Sequence, residues 1–232
     1  KLPKSSEIRI KHLSIGVNFI DTYHRSGLYP VELPTTPGLE AVGRVVEVGA
    51  SVDTFNIGDR VGYSAPPLGA YSEIRDYPAE KAFKIPDEIN DDEAASVLLK
   101  GMTVEYLFNR TYKIQAGEKV LFHAAAGGVG LIASQWARAM GCHLIGTVGS
   151  DKKIDLAKKN GCKHVVNYKK ENVVEKIMDI TNGRGVPVVY DGVGKDTFGL
   201  SVECLSNRGT FVSFGNASGM IPATDLFKSF AP

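Results

Sequence analysis

The sequence predicts an α/β protein in which a doubly wound parallel sheet follows a β-rich N-terminal part. Three observations carry this. Up to about residue 82, short β-branched runs are punctuated by glycine. After Pro86, strands alternate with amphipathic helical patterns, the signature of a parallel sheet. One of these strands runs straight into Ala124-Ala125-Ala126-Gly127-Gly128-Val129-Gly130 and then a helix.

In the first part, Ile8 and Ile10 alternate with Glu7, Arg9 and Lys11, the pattern of a half-buried strand. Residues 41–49 form a β-branched strand closed by Gly49-Ala50-Ser51, residues 58–61 a turn feeding another strand, and residues 69–74 one more. Strands this short and this closely spaced suggest a sandwich or barrel-like domain. In the second part, residues 119–123 read as a buried strand. Val129, Ile132, Ala133, Trp136, Ala137 and Met140 fall on one face of the helix behind it. Residues 144–147 are a second strand, after which Ser150 is expected to N-cap a helix closed by Asn160-Gly161. Residues 164–167, 188–190 and 210–214 complete five strands, with Val173, Val174 and Ile177 on an intervening helix. Pro187 removes a ladder donor where a strand tolerates it, at its first residue. The expected domains are 1–98 and 99–232.

Composition narrows the function. The 232 residues are 43% apolar and 23% charged, ordinary for a soluble globular protein. A net charge of +1 gives no electrostatic basis for binding nucleic acid or a membrane surface. The apolar run around Ile132 is broken by Ser134, Gln135 and Arg138, so no bilayer span is expected, and the opening residues suggest no export signal. Cys142, Cys162 and Cys204 form no CxxC pair and read as reduced thiols of a cytoplasmic protein.

The glycine turn predicts a dinucleotide site. It is an A-x-G-G-V-G variant of G-x-G-x-x-G with Ala125 at the first position. Ala126 and Gly127 lie in the turn, Gly127 lets the backbone approach a pyrophosphate, Gly130 lets helix and strand pack closely, and Gly128 and Val129 open the helix whose free N–H groups face the anion. NAD-binding versions carry an acid at the end of the second strand; here stand Gly149 and Ser150, with no carboxylate before Asp151. Lys152 and Lys153 then occupy a first helical turn, where positive charge opposes the dipole unless an anion is near. Either they are solvated surface lysines or Lys153 meets the 2′-phosphate of NADPH, with Ser150 and Tyr168 as neighbouring hydroxyls. Asp151 is expected to point outward from the helix start.

Five segments resemble a known family: residues 37–49, the turn 123–130, and residues 18–23, 99–104 and 213–218. The chain is similar to medium-chain dehydrogenases/reductases, and specifically to their zinc-free NADPH:quinone oxidoreductase branch, which includes zeta-crystallin-like proteins. The resemblance implies a GroES-like β-rich substrate domain beside a Rossmann domain. It implies a homodimer, NADPH as cofactor and a small-molecule quinone as substrate. It places Asn18, Asp21, Tyr23 and Tyr29 near the nicotinamide, where each tyrosine either offers a ring face and hydroxyl to a quinone or packs a loop. It also assigns cofactor contacts to Asn18, Thr103, Tyr106, Gly128, Val129, Ser150, Lys153, Tyr168, Val193, Phe214, Gly215, Asn216 and Ser218. Family chains begin earlier and continue past Phe214, so both domains are expected to be incomplete here and the gene to encode a longer chain, as Lys1 and Ala231-Pro232 suggest.

Zinc-dependent relatives carry Gly-His-Glu where this chain has Gly38-Leu39-Glu40, and their zinc cysteines have no counterpart here. Quinones and enones need no Lewis acid, because they are already electrophilic, and the cofactor supplies the chemistry. The rival readings are an enoyl or alkenal reductase and a non-catalytic, crystallin-like NADPH-binding protein. Metal analysis of the purified protein is expected to find well below stoichiometric zinc; about one zinc per chain would contradict the reading of Leu39.

Overall fold

The computed structural model describes residues 2–225, so the chain ends Lys1 and Ala231-Pro232 lie outside the described residues. The chain divides into two compact units, the first extending to Met102 and the second beginning at Thr103.

The first unit is an antiparallel sheet built from β1 (Glu7–Gly16), β2 (Glu40–Val48), β3 (Arg60–Tyr63), β4 (Ile74–Pro78) and β5 (Phe83–Lys84). Its strand order is β4-β1-β2-β3-β5. The alternation of Ile8 and Ile10 does what the pattern requires, since both are fully buried with Ala41, Val45, Val61, Tyr63 and Tyr77. The rings of Tyr63 and Tyr77 stack at 4.1 Å and the Arg75 guanidinium lies over both.

Residues 69–74 are not a strand, apart from Ile74, which opens β4. The Gly69 backbone is left-handed at φ 131°. Gly69 and Ala70 N–H donate to the Gly38 carbonyl, and Tyr71 N–H donates to that of Pro37. Those bonds tie the segment down as a loop, and its alternation has no ladder to join. An unexpected helix, α1 (Phe19–Ser26), follows β1; the Asp21 carboxylate accepts from the Asn18 N–H at 2.9 Å, and Gly27 closes it at φ 77°.

The boundary between units falls within α2 (Asp91–Tyr106), which one π-helical turn, Leu107–Thr111, extends. There follow β6 (Lys119–Phe122), α3 (Gly128–Ala139), β7 (His143–Val148), α4 (Ile154–Lys159), β8 (His164–Asn167), α5 (Val173–Thr181), β9 (Val186–Asp191), α6 (Phe198–Glu203) and β10 (Leu205–Ser213). The five strands are parallel in the order β10-β9-β6-β7-β8. Side chains alternate across the sheet: Val120 and Phe122 pack on one face with residues of α3 and α4, and Leu121 packs on the other with Ile177 and Cys204. Strand order reverses at β6, so the crevice beyond the carboxyl ends of β6 and β9 is the topological switch point.

Three local expectations change. Ser150 is extended but makes no side-chain cap bond, because a 3-10 turn, Asp151–Lys153, precedes the α4 helix. Pro187 is the second residue of β9, not its first. The last strand starts at Leu205 and ends at Ser213, its pairing interrupted between Leu205 and Thr210.

Helix α3 comes so close to β6 that a Cβ on Gly130 would stand 2.6 Å from the Ala124 carbonyl oxygen and from Ala125 Cα. Gly130→Ala is therefore expected to lower stability by about 2 kcal/mol. Gly101, inside α2, has nothing within 4 Å of such an atom, so Gly101→Ala is expected to raise it by up to ~1 kcal/mol. Denaturant unfolding of both variants tests this; equal effects would show that the close approach is not what Gly130 serves.

Candidate functional site

At the end of β6, Ala124 takes the left-handed conformation at φ 55°, strained for a residue with a side chain. Gly127 N–H donates to its carbonyl at 2.8 Å. Gly127 itself is extended and begins α3 without any side-chain cap. The first-turn N–H groups and the positive end of the helix dipole thus meet the space above the turn. A cavity of about 430 Å³ opens there, walled by Ala126, Gly127, Gly149, Lys153 and Tyr168 and, on the β9 side, by Val193, Thr197 and Leu200.

Two details at the end of β7 shape this cavity. A Cβ on Gly149 would lie 2.5 Å from the Tyr168 hydroxyl oxygen, so the tyrosine reaches across only because residue 149 is glycine. The 3-10 turn, closed by Lys153 N–H on the Ser150 carbonyl at 3.1 Å, brings Lys153 to the cavity wall. Asp151 points outward as expected, more than half exposed and off the cavity wall, but it is not free. It accepts from Asn167 Nδ2 at 2.6 Å and pairs with the Lys170 ammonium, and these partners, Lys170 foremost, hold its carboxyl below the usual range.

Beneath the cavity runs a buried polar chain. Asp191, fully buried at the end of β9, accepts from the N–H groups of Val193 (2.8 Å) and Gly194 (3.0 Å) and from the hydroxyls of Thr197 and Ser201. Ser201 gives its one proton to Asp191, so His123 Nε2 must donate to Ser201 (2.9 Å). That leaves Nδ1 to accept from the Thr147 hydroxyl (2.9 Å). Thr147 in turn takes the Ala125 N–H on its carbonyl at 3.0 Å. The chain links the glycine turn to the loop that walls the cavity's far side. His123 is packed and fully partnered.

The first unit holds a second cluster. Glu40, with no exposed surface, accepts from Asn18 Nδ2 (2.7 Å), the Leu99 N–H (2.8 Å) and the Lys100 ammonium (3.3 Å). Asp21 accepts from the Tyr71 hydroxyl at 2.7 Å. Burial first, and then this bond, pushes the Tyr71 hydroxyl up to about 12. Tyr23 is buried with its ring 4.9 Å from that of Tyr29, which is only partly covered. Sequence reasoning named Asn18, Asp21, Tyr23 and Tyr29 but missed Glu40, Tyr71 and Lys100. A carboxylate inside the apolar run Leu39-Glu40-Ala41-Val42 was the available signal, because a charge there requires partners.

Of the other expected cofactor residues, Gly128 and Val129 form the first turn of α3, and Ser150 precedes the 3-10 turn. Phe214, Gly215, Asn216 and Ser218 follow β10 and are clasped to the loop after β9. Phe214 N–H donates to the Asp191 carbonyl (2.9 Å) and Ser218 N–H to that of Val193 (2.8 Å). Thr103 and Tyr106 lie on α2 and do not wall the cavity.

Two family models match the chain: the alcohol dehydrogenase GroES-like domain over residues 4–87 and the zinc-binding dehydrogenase over residues 128–231. A quinone oxidoreductase of Pseudomonas aeruginosa is 50% identical over 225 residues, 97% of this chain and 69% of that one. A 2-haloacrylate reductase of Burkholderia is 46% identical over 224 residues, 94% of this chain and 67% of that one. The crystal structure of Escherichia coli quinone oxidoreductase complexed with NADPH matches with a TM-score of 0.97 at 49% identity, covering 99% of this chain and 72% of that chain. The residues present do not fit zinc. Leu39 is apolar and buried, and the three cysteines are buried in the hydrophobic cores. Among the described residues no three His, Cys, Asp or Glu side chains come together.

Burial holds His123 below its ordinary 6.5, partly opposed by the Asp191 charge. A histidine kept neutral in the folded state contributes fully above that value, and its contribution is lost as pH falls through it. Between about pH 7 and 5, the wild-type unfolding free energy is expected to drop more steeply than that of His123→Gln, by up to ~1.4 kcal/mol per pH unit. Equal slopes in pH-dependent denaturation would show that His123 is not the titrating group.

Proposed function

The chain belongs to the quinone oxidoreductase family of the medium-chain dehydrogenases/reductases, and from that premise we propose that it reduces quinones with NADPH and without a metal. Its antiparallel sheet is the GroES-like part and its parallel sheet the Rossmann part of that family's fold. The observation that carries the reading is the cavity at the switch point. There the helix N-terminus, Lys153 and Tyr168 converge, and Gly149 and Ser150 stand where a ribose-binding carboxylate would.

These residues fit NADPH. Gly127 and the first turn of α3, with Gly128 and Val129, bind the pyrophosphate. Lys153 meets the 2′-phosphate with a charge-assisted bond, flanked by the Ser150 and Tyr168 hydroxyls. Ala126, Val193 and the loop carrying Phe214, Gly215, Asn216 and Ser218 complete the walls, and Asn18, Thr103 and Tyr106 are further contacts in this proposal. When bound, the cofactor supplies hydride to an electron-poor acceptor. Asn18 and Asp21 serve as polar contacts for the acceptor. Tyr29 is the ring that a planar quinone reaches, with Tyr23 packed behind it. The division into a substrate domain (1–98) and a nucleotide-binding domain (99–232), a homodimer and a cytoplasmic setting belong to the same proposal. Buried, unpaired cysteines support the cytoplasmic setting, and the dimer rests on the family resemblance. Among the described residues no helix is long and apolar enough to cross a membrane.

NADPH oxidation assayed with quinones, enones and simple alcohols tests the activity. Quinones are expected to turn over fastest. Faster enones would give the activated-alkene reading, which the 2-haloacrylate reductase relative favours, and NADPH binding without turnover would give a non-catalytic role. Lys153→Ala is expected to weaken NADPH roughly ten- to a hundredfold and to leave NADH nearly unchanged. Equal weakening of both, read by fluorescence titration, would return Lys153 to the solvated surface.

A further inference from the structure

We propose that Asn167 and Lys170 set the preference for NADPH over NADH by holding the Asp151 carboxylate away from the adenosine-ribose end of the cavity. The inference rests on the NADPH reading above and names residues outside it.

It begins with the 3-10 turn. At three residues per turn, side chains two positions apart diverge by a third of a turn around the axis. Lys153 and Asp151 therefore point in different directions. Lys153 walls the cavity, and Asp151 is directed to the end of β8, onto Asn167 and Lys170.

Asn167 is built to receive it. The residue is 2% exposed, and its polar atoms are all engaged. Oδ1 accepts the Lys169 N–H at 3.1 Å, which fixes the amide orientation and leaves Nδ2 to donate to Asp151. Its own N–H donates to Glu171 Oε2 at 2.9 Å, and its carbonyl accepts from Lys170 and Glu171 at 2.9 and 3.0 Å. The tight turn that results carries the Lys170 ammonium to Asp151 and lays Tyr168 across Gly149. One buried amide thus organises both the cavity wall and the clamp.

The electrostatic consequence follows from the sign of the charge. A carboxylate free at this strand end accepts the ribose hydroxyls of NADH and repels a 2′-phosphate. A carboxylate spent on Asn167 and Lys170 does neither. Asp151 and Lys170 are both more than half exposed, so salt screens whatever part of the effect is charge repulsion.

Kd values for NADPH and NADH, measured by cofactor fluorescence on the full-length protein at low and high salt, test this. Asn167→Asp is nearly isosteric and can still accept the Lys169 N–H, but it turns a donor into a charge facing Asp151. The ratio of the NADH to the NADPH Kd is expected to fall about tenfold in Asn167→Asp and about threefold in Lys170→Ala. Asp151→Asn added to either background should restore the wild-type ratio, and high salt should shrink the difference. A ratio unchanged in Lys170→Ala, or a loss that Asp151→Asn does not repair, overturns the clamp. Wild-type protein without a preference for NADPH overturns instead the cofactor reading, and that titration is made before any variant.

Discussion

The approach of α3 to the end of β6 is the constraint on which the rest of the second unit depends. Two backbones meet where a Cβ on residue 130 would lie 2.6 Å from the Ala124 oxygen, so only glycine permits the contact. Ala124 bears the cost by adopting φ 55°. What results is a helix start aimed across a strand end at the switch point of the sheet, the one place in such a sheet where backbone N–H groups, a dipole and a crevice coincide. Side chains then only refine a site whose polarity the backbone has already set.

Buried polar groups keep that geometry in place. In the second unit the run from Thr147 through His123 and Ser201 to Asp191 joins β7, β6, α6 and β9. In the first, Glu40 gathers Asn18, Leu99 and Lys100. Neither arrangement is an efficient route to stability, because each carboxylate pays a desolvation cost that its partners mainly repay. Their effect is on uniqueness. Each partner lost would leave an unsatisfied group in a low-dielectric interior, so alternative placements of the same segments are disfavoured.

The regular elements were legible wherever the apolar period was long and the element simply packed. The five parallel strands and α3 are of this kind: the inner strands β6, β7 and β9 are buried on both faces and α3 on one. Readings failed where a single bond outweighed the pattern. Residues 69–74 alternate like a strand, yet bonds to the carbonyls of Pro37 and Gly38 hold them as a loop. Ser150 looks like a cap, but the chain there turns in 3-10 geometry and its hydroxyl makes no cap bond. The α1 helix is only eight residues long, too short for its apolar period to stand out.

By itself the sequence determined the parallel order of strand and helix, the glycine turn, the replacement of the ribose acid by Gly149 and Ser150, and the absence of a histidine at position 39. These are local facts: each depends on residue type and spacing within a few positions, and pattern reading recovers them. Only the tertiary structure decided that the outward-facing Asp151 meets Asn167 and Lys170, that Glu40 and Lys100 meet across 60 positions, and that His123 is one link in a chain ending at Asp191. Those partners lie from 16 to 78 residues apart. Which of many polar groups a buried side chain meets is fixed by strand order and helix packing, and composition and periodicity do not encode that directly.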